Sequence, residues 1–230
     1  MRKLSAGALL CLVAAALFLA AQQPLVCPSC KDCPCPTCEP PRAGEPLAAL
    51  ADGNARFRKD PKHPRQSLDC ATKLRCCQAP FAIVLSCSDS RVPPEVIFDQ
   101  GIGDLFVARV AGNVTARDVL GSIEYAVDHF GAYTIVVLGH QRCGAVEAAF
   151  GKRPGPHIDV IWDLIRPAIP KNRTAEPIPD SVWEKAVRQN VRNMVTNLKR
   201  DLRVHNKVKL TIEGAYYSLD TGEVELPIRP

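Results

Sequence analysis

Two short segments of the 230-residue chain hold side chains suited to metal chemistry: Cys87-Ser-Asp-Ser-Arg91 and His140-Gln-Arg-Cys143. Two thiolates and one imidazole form a known catalytic zinc set, with the fourth tetrahedral position left for water. His140 and Cys143 stand three residues apart, which lets both reach one ion from a single turn, and Cys87 closes the triangle from elsewhere in the chain. By spacing alone a plainer reading stays open, since two cysteines and a histidine in an α/β core often do nothing but pack. Asp89 and Arg91 follow Cys87 at two-residue steps, so in an extended turn they project to the same side. A carboxylate beside a planar guanidinium forms a bidentate, charge-assisted pair. That pair would pin Asp89 away from a metal while leaving one oxygen to meet metal-bound water. An ordinary salt bridge at a surface turn is the alternative.

Strands and helices must deliver these residues to one place. Phe81–Ser86, Leu105–Val110 and Tyr133–Leu138 are short apolar runs, apolar on both faces as buried parallel strands require. Thr115 is expected to cap a helix that carries Val119, Ile123, Val127 and Phe130 on one face and stops at Gly131. A long helix is predicted after Asp180, with Val187, Val191, Met194, Val195 and Leu198 inward and Lys199-Arg200 at its end. Near Pro46, Leu47, Leu50, Ala51 and Phe57 recur at helical spacing, although Gly53 weakens that helix. Residues 61–66 read as loop. Residues 207–213 and 215–226 read as closing strands, with a hairpin turn at Asp220-Thr221-Gly222. The expected fold is therefore α/β: a central, mainly parallel β-sheet flanked by helices, with a C-terminal edge hairpin. Sites in such sheets form at the carboxyl ends of strands, where Cys87, Ala111-Gly112-Asn113 and His140 all fall.

A net charge of +5 without a basic, aromatic-interleaved stripe excludes nucleic acid as the expected partner. Met1-Arg-Lys3 followed by the apolar run Leu4–Ala21 has the layout of an export signal over residues 1–21, cleaved after Ala21. The run is also long enough to remain as an anchor, and a membrane is a partner only in that case. Residues 22–45 read as a flexible Cys/Pro-rich segment in which Cys27, Cys30, Cys33, Cys35 and Cys38 suit disulfides better than a shared metal. Cys70, Cys76 and Cys77 are available as bridging partners. Residues 46–230 are the expected catalytic domain, exported and periplasmic if bacterial. Between residues 151 and 180, six prolines interrupt a region where more helix would be expected.

The motifs Cys87–Arg91, Val92-Pro-Pro-Glu95, Arg109-Val-Ala-Gly-Asn113, Ser122-Ile-Glu-Tyr125 and Gly139-His-Gln-Arg-Cys-Gly144 together resemble the β-class carbonic anhydrases. The resemblance runs from Leu47 to Phe150 and returns in the terminal hairpin. It implies one zinc ion per chain held by Cys87, His140 and Cys143, with Asp89 and Arg91 as the catalytic dyad. It also implies a substrate pocket with Gln78, Phe106, Tyr125 and Gly144, as in the plant-like subgroup, and a homodimer or higher even oligomer sharing pockets across its interface. The implied reaction is reversible hydration of carbon dioxide to bicarbonate and a proton. Zinc-bound hydroxide would attack while Asp89 orients it and Gln78 donates to a substrate oxygen. Two thiolates neutralise the ion, so activity should climb toward alkaline pH. His129 or bulk buffer would export the proton. Two other readings remain: a related zinc hydrolase of carbonyl sulfide or carbon disulfide, and a non-catalytic envelope zinc or thiol protein. Asp89, Arg91 and Gln78 speak against the latter, since zinc storage needs none of them.

Overall fold

The computed structural model describes residues 45–61, 74, 78–171, 177–202 and 209–228. The expected export signal, the cysteines between residues 27 and 38, Cys70, Cys76, Cys77 and the loop at 62–66 lie outside the described residues. No helix among those described is long and apolar enough to cross a membrane.

The apolar runs form strands where the patterning places them: β1 (Ala82–Ser86), β2 (Leu105–Arg109), β3 (Thr134–His140), β4 (Thr211–Tyr217) and the short β5 (Val224–Glu225). Their order across the sheet is β2-β1-β3-β4-β5; the first four are mutually parallel and β5 returns antiparallel to β4. β1 and β3 are buried at every position, which explains why their sequences show no alternation. The C-terminal turn is closed by the Gly222 N–H donating to the Ser218 carbonyl at 2.9 Å. β4 runs unbroken through Gly214, as one strand rather than two segments.

The helices cover this sheet. α1 (Pro46–Lys59) tolerates Gly53 at its centre because a methyl group there would overlap the carbonyl oxygen of Phe98. Its neighbour Asn54 donates to the Ile97 and Gly222 carbonyls at 3.1 and 2.9 Å and accepts from the Val224 N–H, binding helix to hairpin. After the single-turn α2 (Pro94–Ile97) and β2 comes α3 (Arg117–Phe130), which ends at Gly131 in the left-handed region, φ 67°. Thr115 does not cap it. The N-cap is Ala116, with no side-chain bond, and Thr115 is buried, its N–H and hydroxyl turned toward the sulfur of Met194 at 3.3 and 3.5 Å.

Beyond β3 follow α4 (Gly144–Ala148) and α5 (Ile158–Ile165), with a 3-10 turn at Arg166–Ala168. Prolines 156 and 167 confine α5 to eight residues. The long α6 (Asp180–Asp201) buries Val187, Val191, Met194 and Leu198, while Val195 packs partly buried beside them. At Gly139 a Cβ would overlap Val191 Cγ2 and lie 3.2 Å from Val187 Cγ1. The missing side chain lets α6 settle against β3 one residue before His140, setting the depth at which that imidazole ends.

Candidate active site

Two chain reversals build the site. Cys87 is the first residue after β1, His140 the last of β3, and Cys143 the N-cap of α4. They are 4 %, 0 % and 1 % exposed, and their ligating atoms all lie within 4.8 Å of one another. The two sulfurs are 4.0 Å apart. That is twice the ~2.05 Å of a disulfide. It is close to the ~3.8 Å that separates two sulfurs each about 2.3 Å from a tetrahedral zinc. His140 Nδ1 lies 2.9 Å from the Gln141 carbonyl oxygen. A carbonyl only accepts, so the ring proton sits on Nδ1 and the lone pair on Nε2. Nε2 is buried without any hydrogen-bond partner. A lone pair left bare in the interior is costly unless a cation takes it, and a soft S₂N donor set suits zinc.

The two thiols are shifted in opposite directions. The contact with Cys143 is the main influence bringing the Cys87 thiol down to about 4, against burial; the N–H groups of Gly112 and Asp89 add to it. The Gly112 N–H is aimed at Cys87 Sγ, 3.3 Å away, by a left-handed φ of 69°. The same contact, with burial, pushes Cys143 well up.

Asp89 and Arg91 form the bidentate pair: Nε donates to Oδ1 at 2.9 Å and Nη2 to Oδ2 at 2.8 Å, with the Arg91 backbone N–H on Oδ1 at 3.0 Å. Neither carboxylate oxygen is wholly free, contrary to expectation. Oδ1 takes two donors; Oδ2 takes one and lies 3.9 Å from His140 Nε2, so it faces the metal-ligating atoms with lone-pair capacity left. The Arg91 guanidinium holds the Asp89 carboxyl well below the usual carboxylate range.

Two further side chains hold the ligand backbone, and motif reading did not assign them this role. Arg109 donates from Nε to the Cys87 carbonyl at 3.0 Å and from Nη2 to the Asp89 carbonyl at 2.6 Å. Its hint in sequence is a cation at the end of the Leu105–Val110 run, opening the Arg109–Asn113 motif; the sheet places it in register with Ser86. Trp183 of α6 donates its indole N–H to the Cys143 carbonyl at 3.1 Å, and nothing local in the sequence announces it.

The expected pocket residues do not all gather around these ligands within one chain. Gln78 is exposed and precedes β1, whereas Cys87 follows it, so roughly 13 Å of strand lies between them. Phe106 and Tyr125 meet, ring centroids 6.5 Å apart, with Phe130 against both and Tyr125 49 % exposed. His129 packs its ring 4.4 Å from that of Tyr125, as part of this aromatic group. Gly144 is exposed, with open space where a Cβ would stand.

Buried cysteines and a histidine delivered to parallel-strand tips beside an arginine-locked carboxylate define a metal-dependent α/β enzyme. The chain belongs to the carbonic anhydrase family, whose model matches residues 82–224. It is 39 % identical over 188 residues to carbonic anhydrase 2 of Mycobacterium tuberculosis, covering 77 % of this chain and 89 % of the relative. The Coccomyxa β-carbonic anhydrase in complex with acetazolamide superposes with a TM-score of 0.62 at 27 % identity, covering 80 % of this chain and 87 % of that one. A tetrameric β-carbonic anhydrase of Sordaria macrospora does so with 0.58 at 25 % identity, covering 77 % and 94 %. The cofactor of this family is zinc, and the S₂N cluster fits it.

Proposed function

We propose that Cys87, His140 and Cys143 hold one zinc ion and that this chain reversibly hydrates carbon dioxide to bicarbonate and a proton. The observation that carries the reading is the orphaned His140 Nε2, set beside two sulfurs 4.0 Å apart and 3.9 Å from an arginine-locked carboxylate oxygen. When bound, zinc supplies the Lewis acidity that activates water as a nucleophile. Asp89 stays ionised and accepts a hydrogen bond from that nucleophile through Oδ2, orienting it toward the substrate carbon. Arg91 keeps the carboxylate in that attitude and would restrain it from ligating the ion. Arg109 and Trp183 hold the carbonyls of the segments that carry both thiols. Two anionic sulfurs offset the charge of the ion, so activity rises toward alkaline pH.

The placement of Gln78, Phe106 and Tyr125 supports an even homo-oligomer. Gln78 stands at the amino end of β1, and Tyr125 is exposed on the single chain over a partly buried Phe106. A second copy across the edge of β2 supports a shared pocket in which these residues serve the neighbouring site. Residues 1–21 act as an export signal, placing the domain outside the cytoplasm; N-terminal sequencing of the mature protein tests this.

The deciding experiment measures zinc by elemental analysis alongside stopped-flow carbon dioxide hydration on the purified full chain. About one zinc per chain is expected, with activity lost to a chelator and regained on zinc addition. Well-folded protein without zinc, or zinc-loaded protein inert toward carbon dioxide, overturns the reading. Carbon disulfide and carbonyl sulfide assayed on the same material distinguish a related hydrolase.

A further inference from the structure

We infer that Gln141 is a positioning residue, through which the C-terminal hairpin turn fixes the ring orientation and tautomer of His140. The inference rests on the zinc reading above and extends it to a residue that touches neither metal nor substrate.

Every polar atom of Gln141 is engaged, and each bond has a direction. Its backbone N–H donates to the Tyr217 carbonyl at 2.8 Å, continuing the β3–β4 ladder one step past the His140–Tyr217 pair. Its carbonyl faces His140 Nδ1 at 2.9 Å. Its side-chain amide donates to Asp220 Oδ2 at 2.6 Å, and its Oε1 accepts from the Asp220 N–H at 3.1 Å and the Ser218 hydroxyl at 3.4 Å. The next residue, Arg142, lies in the left-handed region with φ 51°. For a carbonyl to turn back onto the ring of the preceding residue, its peptide plane must be held against rotation. The ladder bond fixes one end of Gln141, and the three-bond grip of the hairpin turn fixes its side chain. Together they fix the Cα of Gln141, from which the 141–142 peptide plane that carries its carbonyl departs toward the left-handed Arg142. The turn is itself braced: the Thr221 N–H donates to Ser218 Oγ, the Gly222 N–H to the Ser218 carbonyl, and Asn54 of α1 holds both Gly222 and Val224. The buried imidazole therefore takes its proton position from a chain of bonds that ends in α1.

Outer partners of a metal-bound histidine fix its tautomer and orientation, and losing one costs about 10–100-fold in metal affinity or activity. Here the direct partner is a backbone carbonyl that survives substitution, so the lower end applies: Gln141→Ala should speed zinc loss to a chelator by about 10-fold. Gln141→Glu should be at least as damaging, because it sets a second carboxylate against Asp220 at a 2.6 Å contact. Combining Gln141→Glu with Asp220→Asn restores the bond with donor and acceptor exchanged, and should bring zinc loss back to within about threefold of wild type.

The test uses the full chain loaded with zinc, and in parallel with cobalt(II) as a spectroscopic probe. It records chelator-driven metal release, the cobalt ligand-field spectrum, and melting of loaded and metal-free protein. Faster release and a shifted cobalt spectrum in the single variants, both reversed in the double variant, are the expected result. A tether with only a structural role lowers both melting temperatures equally and leaves spectrum and release unchanged. That outcome, or a double variant no better than Gln141→Glu, overturns the inference. A wild-type chain that binds neither zinc nor cobalt overturns the zinc reading itself and this inference with it, and the wild-type arm reveals that before any variant is compared.

Discussion

Replacing Arg109 separates charge from shape at the metal site. Its guanidinium spans two carbonyls of the ligand loop, Nε to Cys87 at 3.0 Å and Nη2 to Asp89 at 2.6 Å. A lysine keeps the charge but presents a single point that does not fork across two acceptors. A hydrogen bond from a charged group contributes about 1.5–3 kcal/mol where water is excluded. Arg109 is exposed, so water replaces part of each bond and about 1 kcal/mol per bond is the working figure. Arg109→Lys loses one bond; Arg109→Met keeps the aliphatic stem and loses both. With tenfold in rate for each 1.4 kcal/mol, kcat should fall about 5-fold for lysine and about 30-fold for methionine. The loss appears in kcat because the loop carries both a proposed metal ligand and the orienting carboxylate. Stopped-flow hydration of carbon dioxide, with zinc measured on the same samples, gives the numbers. Both variants within about twofold of wild type at full zinc occupancy would refute the positioning argument. A deficit in methionine alone would show that charge, not the fork, is what the site uses.

Arg91→Ala leaves Asp89 only the hydrogen bond from the Arg91 backbone N–H, and the released carboxylate is free to swing toward the ligands. Its kcat should fall roughly 10–100-fold, and a fully active variant argues against the dyad. Gly139→Ala drives a methyl group into Val191 and Val187; a destabilisation of about 1–3 kcal/mol lowers Tm by roughly 2–12 °C. Adding Val191→Ala should recover part of it, and a Gly139→Ala melting curve superimposable on wild type contradicts the close approach of α6. Tyr216 is 6 % exposed, and burial, helped by Glu184, pushes its hydroxyl up to about 12. Because the folded value lies above the unfolded one of ~10, its stability contribution is intact below pH 10 and lost as pH rises through 12, about 3 kcal/mol at most. Denaturant melts of Tyr216→Phe should therefore decline less than wild type over that window; parallel declines would place the phenol in water.

Residue type and local pattern determined a good deal here without any fold. Three unalternating apolar runs marked strands, two of them interior and β2 at the sheet edge, and a cysteine, a histidine and a nearby cysteine at the tips of β1 and β3 came together once those strands lay parallel. The Asp89–Arg91 pair was legible for the same reason: two residues in one turn meet through local geometry, with no help from distant chain. Gly131 likewise closes its helix by its own φ. Features spread across the chain were not legible. Thr115 looks like a cap until a sulfur 79 residues away competes for its hydroxyl. Arg109 and Trp183 act on backbone carbonyls 22 and 40 residues distant, and a carbonyl has no sequence signature; the Gln141–Asp220 bond joins two side chains 79 residues apart. Gly53 reads as a flaw in a helix until the Phe98 carbonyl is seen against it. Local chemistry chose the proposed metal ligands; only tertiary packing decided what holds them still. Chain connectivity limits the first to a few bonds, whereas the second depends on which elements the sheet brings within hydrogen-bond reach.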